Sequence, residues 1–195
     1  MMRIITGKAR GVRLATLAGE NTRPTSERAK EAVFSMLQFE IQGKEVLDLF
    51  AGSGQMGLEA LSRGASYALL CDRSREAVDV IRSNALKTKL APLCDIVCND
   101  FLAQLKLIRR KKAFDLVFLD PPYAMGVLPE VLRTLIDYRL LRPNAKLVCE
   151  SANERDVFGT DATLESRFEV LRRARYGVAY VTVLQWKGER GEAEA

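Results

Sequence analysis

Apolar residues recur along this chain with two different spacings, which together predict an alternation of strands and helices. After residue 45, short and almost continuously apolar runs are separated by longer segments whose apolar positions repeat every three or four residues. Runs of the first kind are typical of strands buried on both faces, and segments of the second kind are typical of amphipathic helices. We therefore predict strands at 46–50, 67–71, 94–98, 114–119 and 146–150 and helices near 56–63, 74–87, 102–109 and 128–140.

The two ends of the chain depart from this alternation. Residues 168–184 contain two apolar runs with a turn near Gly177, which predicts a hairpin at an antiparallel edge of the sheet. Residues 3–14 predict a small β-hairpin, and residues 24–41 have the spacing of an amphipathic helix. We expect three parts, namely an N-terminal extension at 1–42, a core at 43–187 and a disordered tail at 188–195.

This order of elements predicts the fold class. Strands that alternate with helices form a parallel sheet with helices on both faces. The prediction is therefore an α/β, Rossmann-like fold with a mostly parallel seven-stranded sheet, an antiparallel last strand and a hairpin-plus-helix extension.

The composition excludes several classes of protein. The chain has 195 residues, of which 48% are hydrophobic and 28% are charged, as in a soluble globular domain. No apolar run reaches the roughly 20 residues of a membrane helix, and the first residues contain no apolar signal region, so we expect a cytoplasmic protein. Four cysteines and no histidine argue against a metal site and exclude every acid–base scheme that depends on histidine.

The net charge is concentrated at the N-terminus. Residues 1–30 carry seven basic and two acidic side chains, so their net charge of +5 equals that of the entire chain. A localised basic segment on a neutral body is what binding to a phosphate backbone requires. The alternative is a solvated surface that only keeps the protein soluble.

A glycine motif follows the first strand of the core. Gly52-x-Gly54-x-x-Gly57 lies between a predicted strand and a predicted helix, which is the context that a nucleotide-containing cofactor requires. Asp72 ends the next strand 20 residues after Gly52, where a carboxylate can accept hydrogen bonds from both ribose hydroxyls. These features fit NAD as well as S-adenosylmethionine.

Two further acidic positions favour S-adenosylmethionine. Asp48 lies inside the first strand, where a carboxylate would attract a cationic amino-acid group and repel a pyrophosphate. Asp100 and Phe101 follow the third strand, where a carboxylate and a ring could hold an adenine. Asp48 could instead be a buried residue satisfied by loop amides, and Asp100 could instead be a helix N-cap.

A second motif, Asp120-Pro121-Pro122-Tyr123, directly follows the strand at 114–119. The two prolines fix the backbone and lack N–H donors, so the carboxylate and the carbonyls can act as acceptors beside an aromatic surface. This arrangement suits a planar group that bears an exocyclic amine. The alternative is a rigid loop with Tyr123 packed in the core.

These residues resemble the class I S-adenosylmethionine-dependent methyltransferases that act on exocyclic amines. The resemblance is carried by Asp48 to Gly54, Asp72, Asp100 and the Asp120 motif. Segments 3–11 and 22–34, the latter with Arg23-Pro24-Thr25-Ser26, are similar to the RsmD family, and the resemblance covers about residues 2–186.

The resemblance implies methyl transfer from S-adenosylmethionine to N2 of one guanine, guanine 966, of 16S rRNA in an assembling 30S subunit. We expect the protein to be a monomer. It implies that Asp120 and the carbonyl of Pro121 accept the two amine hydrogens, and that Tyr123 stacks on the base. Cofactor contacts are expected at Asp48, Phe50, Ala51, Gly52, Ser53, Gly54, Gly57, Asp72, Arg73, Asp100 and Phe101. RNA contacts are expected at Arg3, Lys8, Arg10, Arg13, Arg23, Thr25, Ser26 and Arg28.

Several rival functions share part of this pattern. A DNA amine methyltransferase has the same Asp-Pro-Pro-Tyr type of motif, which we call the amine clamp. Such an enzyme normally needs a separate region that reads its target sequence, and the chain has little room for one. No cysteine lies at the clamp to act as the nucleophile of a carbon methyltransferase. Asp48 and the prolines disfavour a dinucleotide oxidoreductase. The rival from another class is an assembly factor without catalytic activity that uses the fold to bind RNA. Independently of that rival, Arg23, Thr25, Ser26 and Arg28 could cap and brace the helix instead of contacting RNA.

Overall fold

The computed structural model describes residues 2–17 and 24–188, apart from the side chains of residues 24–26. Of the predicted tail, only Gly188 lies within these ranges. The helices are α1 (Pro24–Met36), α2 (Gln55–Ser62), α3 (Arg75–Lys87), α4 (Phe101–Ile108), α5 (Leu128–Asp137) and α6 (Ala162–Ser166). The strands are β1 (Glu45–Asp48), β2 (Tyr67–Asp72), β3 (Cys94–Cys98), β4 (Phe114–Leu119), β5 (Leu141–Ser151), β6 (Phe168–Tyr176) and β7 (Ala179–Trp186).

The strands form one seven-stranded sheet with the order β3-β2-β1-β4-β5-β7-β6. Strands β1 to β5 pair in parallel, whereas β7 runs antiparallel to both of its neighbours, β5 and β6. The predicted fold class is thus confirmed. Because β1 and β4 are neighbours at the centre, the ends of the two strands that precede the glycine motif and the Asp120 motif lie side by side.

Strand β5 begins earlier than predicted. It starts at Leu141, which pairs with the same strand as Lys146 but in a shifted register. Pro143 and Asn144 lie between the two registers, and Asn144 has a φ of 61°. Proline and asparagine are typical of turns, so the sequence predicted a strand only from Lys146 onward. The structure shows a longer strand with a bulge at these two residues.

Helices cover the two faces of the sheet and form two hydrophobic cores. Helices α1, α2 and α3 pack on one face through side chains such as Phe34, Leu58 and Ile81. Helices α4, α5 and α6 pack on the other face with the aromatic side chain of Trp186. No helix within the described ranges is long and apolar enough to cross a membrane.

The N-terminal hairpin is shorter than predicted. It consists of one antiparallel bridge between Arg3 and Arg13, with the N–H of Ile4 donating to the carbonyl of Val12 at 3.0 Å. Ile4 is fully buried in the same core as α1 and α2. Packing of Ile4 on the core therefore stabilises the hairpin more than hydrogen bonds between its two strands do.

A buried carboxylate in α2 joins the hairpin to the core. The carboxylate of Glu59 accepts hydrogen bonds from the N–H groups of Ile5 and Thr6 at 2.7 and 3.0 Å. It also forms ion pairs with Lys30 of α1 at 3.2 Å and with Arg63 at 2.8 Å. Glu59 is fully buried and Lys30 is almost fully buried. We call this cluster of Glu59, Lys30 and Arg63 the extension hub.

Candidate active site

The carboxyl ends of β1, β2 and β4 surround a cavity with a volume of about 400 Å³. The cavity brings together both motifs, which are separated by more than 60 residues in the chain. The predicted site residues that line it are Asp48, Phe50, Ala51, Gly52, Ser53, Asp72, Arg73, Phe101, Asp120, Pro121, Pro122 and Tyr123.

Two of the predicted glycines shape the cavity without lining it. Gly54 has a φ of 77°, a left-handed conformation that lets the chain turn from the loop into α2. A Cβ atom on Gly57 would overlap the side chain of Leu70, so this glycine allows α2 to pack closely on the sheet. The structure therefore gives both glycines a role in the shape of the loop and in the packing of α2.

Asp48 is almost fully buried beneath the loop. Its Oδ2 atom accepts a hydrogen bond from the N–H of Gly57 at 2.9 Å. Such a bond to a backbone amide is what we expected if Asp48 were a buried structural residue. This bond does not compensate for burial, which together with the negative charge of Asp72 raises the pKa of Asp48 to about 7. Because Asp48 also lines the cavity, a cationic group bound there would stabilise the ionised carboxylate.

Asp72 organises the loop at the end of β2. Its Oδ2 atom accepts from the N–H of Gly52 at 2.8 Å, and its Oδ1 atom accepts from the N–H of Ser74 at 2.8 Å. A carboxylate has about four acceptor positions, so two remain for hydroxyl groups. Asp72 and its exposed neighbour Arg73 both line the cavity.

The third strand ends in a cap and an aromatic wall. Asp100 caps α4 by accepting hydrogen bonds from Leu102 and Ala103. It does not line the cavity, so the structure supports the cap and not the predicted cofactor contact. Asn99 lines the cavity instead, beside the ring of Phe101, which lies 5.4 Å from the ring of Phe50.

The Asp120 motif borders the cavity on the side of β4. Asp120 is exposed and Pro121 is buried. Tyr123 has 40% of its surface exposed, so the alternative of a core tyrosine is wrong. The hydroxyl of Tyr123 donates to the carboxylate of Glu150 on β5 at 2.7 Å. Glu150 was not predicted as a site residue.

A second cavity of about 100 Å³ lies behind Asp120, under helix α1. Its walls are mostly apolar and include Val33 of α1 and Phe118 of β4. Gln55, Met56 and Asp120 line both cavities, so they form the partition between them. Apart from Asp120, the residues of this second cavity were missed because α1, α2 and three strands contribute to it.

The glycine loop is tied to the N-terminal extension through Asn84 of α3. The Nδ2 atom of this buried side chain donates to the carbonyls of Ser53 and Ala15 at 2.9 and 3.0 Å. Its Oδ1 atom accepts from the N–H of Ala15 at 2.8 Å. Two residues later, Leu17 lines the cofactor cavity. The extension is therefore part of the wall of the site.

The structure describes the side chains of five of the eight residues that we predicted to contact RNA. The described side chains among them, Arg3, Lys8, Arg10, Arg13 and Arg28, are exposed. Arg23 lies outside the described residues, as do the side chains of Thr25 and Ser26.

No group of three or more potential metal ligands occurs in residues 2–17 and 24–188. Burial raises the pKa of Cys149, the cysteine next to Glu150, to about 12, so this thiol stays protonated.

The fold and the cavity define the class of the protein. Its mostly parallel sheet contains one reversed strand, β7, and a glycine loop, two strand-end carboxylates and an aromatic wall surround a cavity that fits S-adenosylmethionine. The same fold occurs in an O-methyltransferase from Bacillus cereus, with a TM-score of 0.65, 15% identity and coverage of 87% of this chain and 84% of that one. The protein is a class I S-adenosylmethionine-dependent methyltransferase.

Within this class, the chain belongs to the family described as conserved hypothetical protein 95, whose model matches residues 2–185. It is 36% identical to ribosomal RNA small subunit methyltransferase D of Escherichia coli over 78% of this chain and 76% of that protein. It is 34% identical to YlbH of Bacillus subtilis over 96% of this chain and 100% of that protein. The solved structure of yhhF from Escherichia coli has a TM-score of 0.83, with 30% identity and coverage of 96% and 99%. The RsmD-type resemblance is thereby confirmed.

Proposed function

We propose that this protein methylates N2 of one guanine in 16S rRNA, guanine 966 by resemblance, within an assembling 30S subunit. The observation that carries the proposal is the position of Asp120, which lines both the cofactor cavity and the smaller apolar cavity under α1. An acceptor in that partition can hold the reacting amine of a base that faces the cofactor. The names of relatives such as methyltransferase D support the choice of substrate.

S-adenosylmethionine, when bound, supplies an electrophilic methyl group. Asp120 and the carbonyl of Pro121 accept the two hydrogens of the guanine amine and direct its lone pair, which is otherwise delocalised into the ring. Alignment of this kind contributes about 7–11 kcal/mol to the lowering of a barrier in favourable cases. The methylated nitrogen is cationic and strongly acidic, so Asp120 or water suffices as the proton acceptor.

The proposal assigns separate roles to the extension and the core. Residues 43–187 bind the cofactor and carry the clamp, while residues 1–42 contact the RNA as part of a monomer. The exposed cations of the hairpin would neutralise phosphates, and α1 would cover the base. Arg10→Ala should weaken RNA binding and lower the slope of its salt dependence by about 1. An unchanged slope would argue against a phosphate contact at Arg10.

The test is methyl transfer from radiolabelled S-adenosylmethionine to naked small-subunit rRNA and to 30S particles from cells that lack the gene. We expect N2-methylguanosine at one position, identified by mass spectrometry. Asp120→Asn should lower the rate by about 10²–10⁴ while the affinity for the cofactor is retained. Label on DNA would favour the DNA enzyme, and tight RNA binding without any label would favour an assembly factor.

A further inference from the structure

Glu150 is a carboxylate in the second cavity to which the proposed mechanism assigns no role. It is half-buried at the carboxyl end of β5, and it lines the cavity together with Asp120. On β7, Val181 pairs with Glu150 and contributes an apolar wall. A carboxylate placed at the edge of an apolar cavity is suited to bind a polar group of an otherwise flat, apolar ligand.

The register of the sheet places Glu150 beside Asp120. Leu119 of β4 pairs with Cys149 of β5 in parallel, so the next residue of each strand is Asp120 and Glu150. Neighbouring strands lie about 4.8 Å apart, and paired residues point to the same face. Phe118 and Val148, two residues before Asp120 and Glu150, also line the cavity, which agrees with this alternation.

The hydroxyl of Tyr123 holds Glu150 in place. It donates to the Oε1 atom of Glu150 at 2.7 Å and leaves other acceptor positions of the carboxylate for a ligand. Burial raises the pKa of Glu150, and the bond from Tyr123 opposes that shift. A second donor from a bound base would oppose it further.

We propose that Glu150 is a specificity-determining residue, whose carboxylate accepts a hydrogen bond from the N1–H of the target guanine while Asp120 holds the neighbouring amine. This inference rests on the proposed function. In guanine, N1–H and the N2 amine are adjacent donors on one edge, which matches two adjacent carboxylates. The corresponding ring nitrogen of adenine or cytosine is an acceptor, so Glu150 would repel those bases although both carry an exocyclic amine.

The test compares two bases in two enzymes. The RNA accepted in the methylation assay is assembled with either guanine or 2-aminopurine at the target position. 2-Aminopurine keeps the reacting amine but has an acceptor at N1 in place of the donor. For the native enzyme and for Glu150→Gln, the ratio of kcat/KM for guanine to that for 2-aminopurine is measured. Differences in the intrinsic reactivity of the two amines cancel between the enzymes.

We expect Glu150→Gln to lower this ratio by about ten- to hundredfold, because an amide can accept from guanine or donate to 2-aminopurine. Glu150→Ala should also lower the ratio, mainly through the loss of activity on guanine. Glu169→Gln is the matched control, since Glu169 is exposed and pairs with Gln185, which lies opposite Lys146 near the other end of β5. The cofactor affinity of all variants, measured by calorimetry, should equal that of the native protein and shows that they fold.

The outcomes separate the two levels of the argument. N2-methylguanosine from the native enzyme together with an unchanged ratio in both Glu150 variants would overturn the role of Glu150 alone. Absence of N2-methylguanosine from the native enzyme would reject the proposed function and this inference with it. A ratio that falls in the Glu150 variants and not in Glu169→Gln would support both.

Discussion

Two buried carboxylates, Glu59 within helix α2 and Asp48 bonded to the N–H of Gly57 in the same helix, have different surroundings. Glu59 in the extension hub has two backbone N–H donors and two cationic side chains around it. Asp48 below the glycine loop has the N–H of Gly57 and the repulsive charge of Asp72, and burial raises its pKa to about 7. A compensated buried charge is a structural element, whereas an under-compensated one bordering a cavity is suited to a cationic ligand.

The difference assigns a separate task to each region. The hub fixes the hairpin and α1 on the core, and thereby one wall of the second cavity, to which Lys30 contributes. Asp48 is proposed to face a positive group of the cofactor. Disrupting the hub should therefore reduce the stability of the fold, whereas neutralising Asp48 should reduce binding.

The largest expected effect is that of Glu59→Ala. This variant leaves Lys30 buried without its anion and removes the acceptor of two backbone N–H groups. We expect the free energy of unfolding to fall by about 3–5 kcal/mol, measured by urea denaturation. Glu59→Gln, which keeps an acceptor, should lose less. A loss below about 1 kcal/mol for Glu59→Ala would mean that the hub does not hold the extension.

Asp48→Asn should have the opposite profile. The amide oxygen can still accept from Gly57, so we expect no loss of stability at pH 8, where the native carboxylate is ionised and poorly compensated. The affinity for S-adenosylmethionine should fall by about 10- to 100-fold, as for the loss of a hydrogen bond to a charged group, measured by calorimetry. Unchanged affinity would show that Asp48 does not face the cationic part of the cofactor.

The pH dependence of cofactor binding to the native protein should further distinguish Asp48 from the compensated Glu59. Because the pKa of Asp48 is about 7 in the folded protein, its carboxylate takes up a proton below that pH, while an α-amino group stays cationic there. We expect the affinity for S-adenosylmethionine to fall by more than about tenfold between pH 7 and pH 5. Asp48→Asn should flatten this profile; an equally steep profile in the variant would point to another group.

The contribution of Asp48 to the stability of the ligand-free protein has the reverse sign. The folded protein binds the proton of Asp48 more tightly than the unfolded chain, in which the pKa of this carboxyl lies near its ordinary value of 3.8. This contribution is therefore present at low pH and is lost as the pH rises through the window from about 4 to 7. Urea denaturation of the native protein and of Asp48→Asn at both ends of the window isolates it.

Much of the fold and of the cofactor site follows from local patterns in the sequence. Apolar runs mark the strands, and parallel strands gather their carboxyl ends at one edge, so Asp48, Asp72 and Asp120 could be placed near one another. Glu59, Asn84 and Glu150 could not be found in this way. Ile5 and Ala15, which are partners of Glu59 and Asn84, lie more than 50 residues away in the chain, and Tyr123 lies 27 residues from Glu150.

Some local sequence patterns are each compatible with two different structures. An acidic residue at a strand end can bind a ligand or cap the following helix, and only the geometry showed that Asp100 caps α4. Pro143 and Asn144 have turn chemistry, yet β5 continues through them because β4 supplies pairing partners on both sides. In both cases, tertiary contacts select between two locally permitted structures.

The smallest expected effect is that of Asp79→Ala, which removes an ion pair on the exposed side of α3. Asp79 pairs with Arg82 at 3.4 Å over a spacing similar to that of Glu59 and Arg63. The side chains of Asp79 and Arg82 are 62% and 48% exposed, whereas Glu59 is 0% exposed. Solvent screens such a pair, so we expect a loss of less than about 0.5 kcal/mol, measured in the same urea series. If Asp79→Ala cost as much as Glu59→Ala, burial and the backbone donors would not explain the strength of the hub.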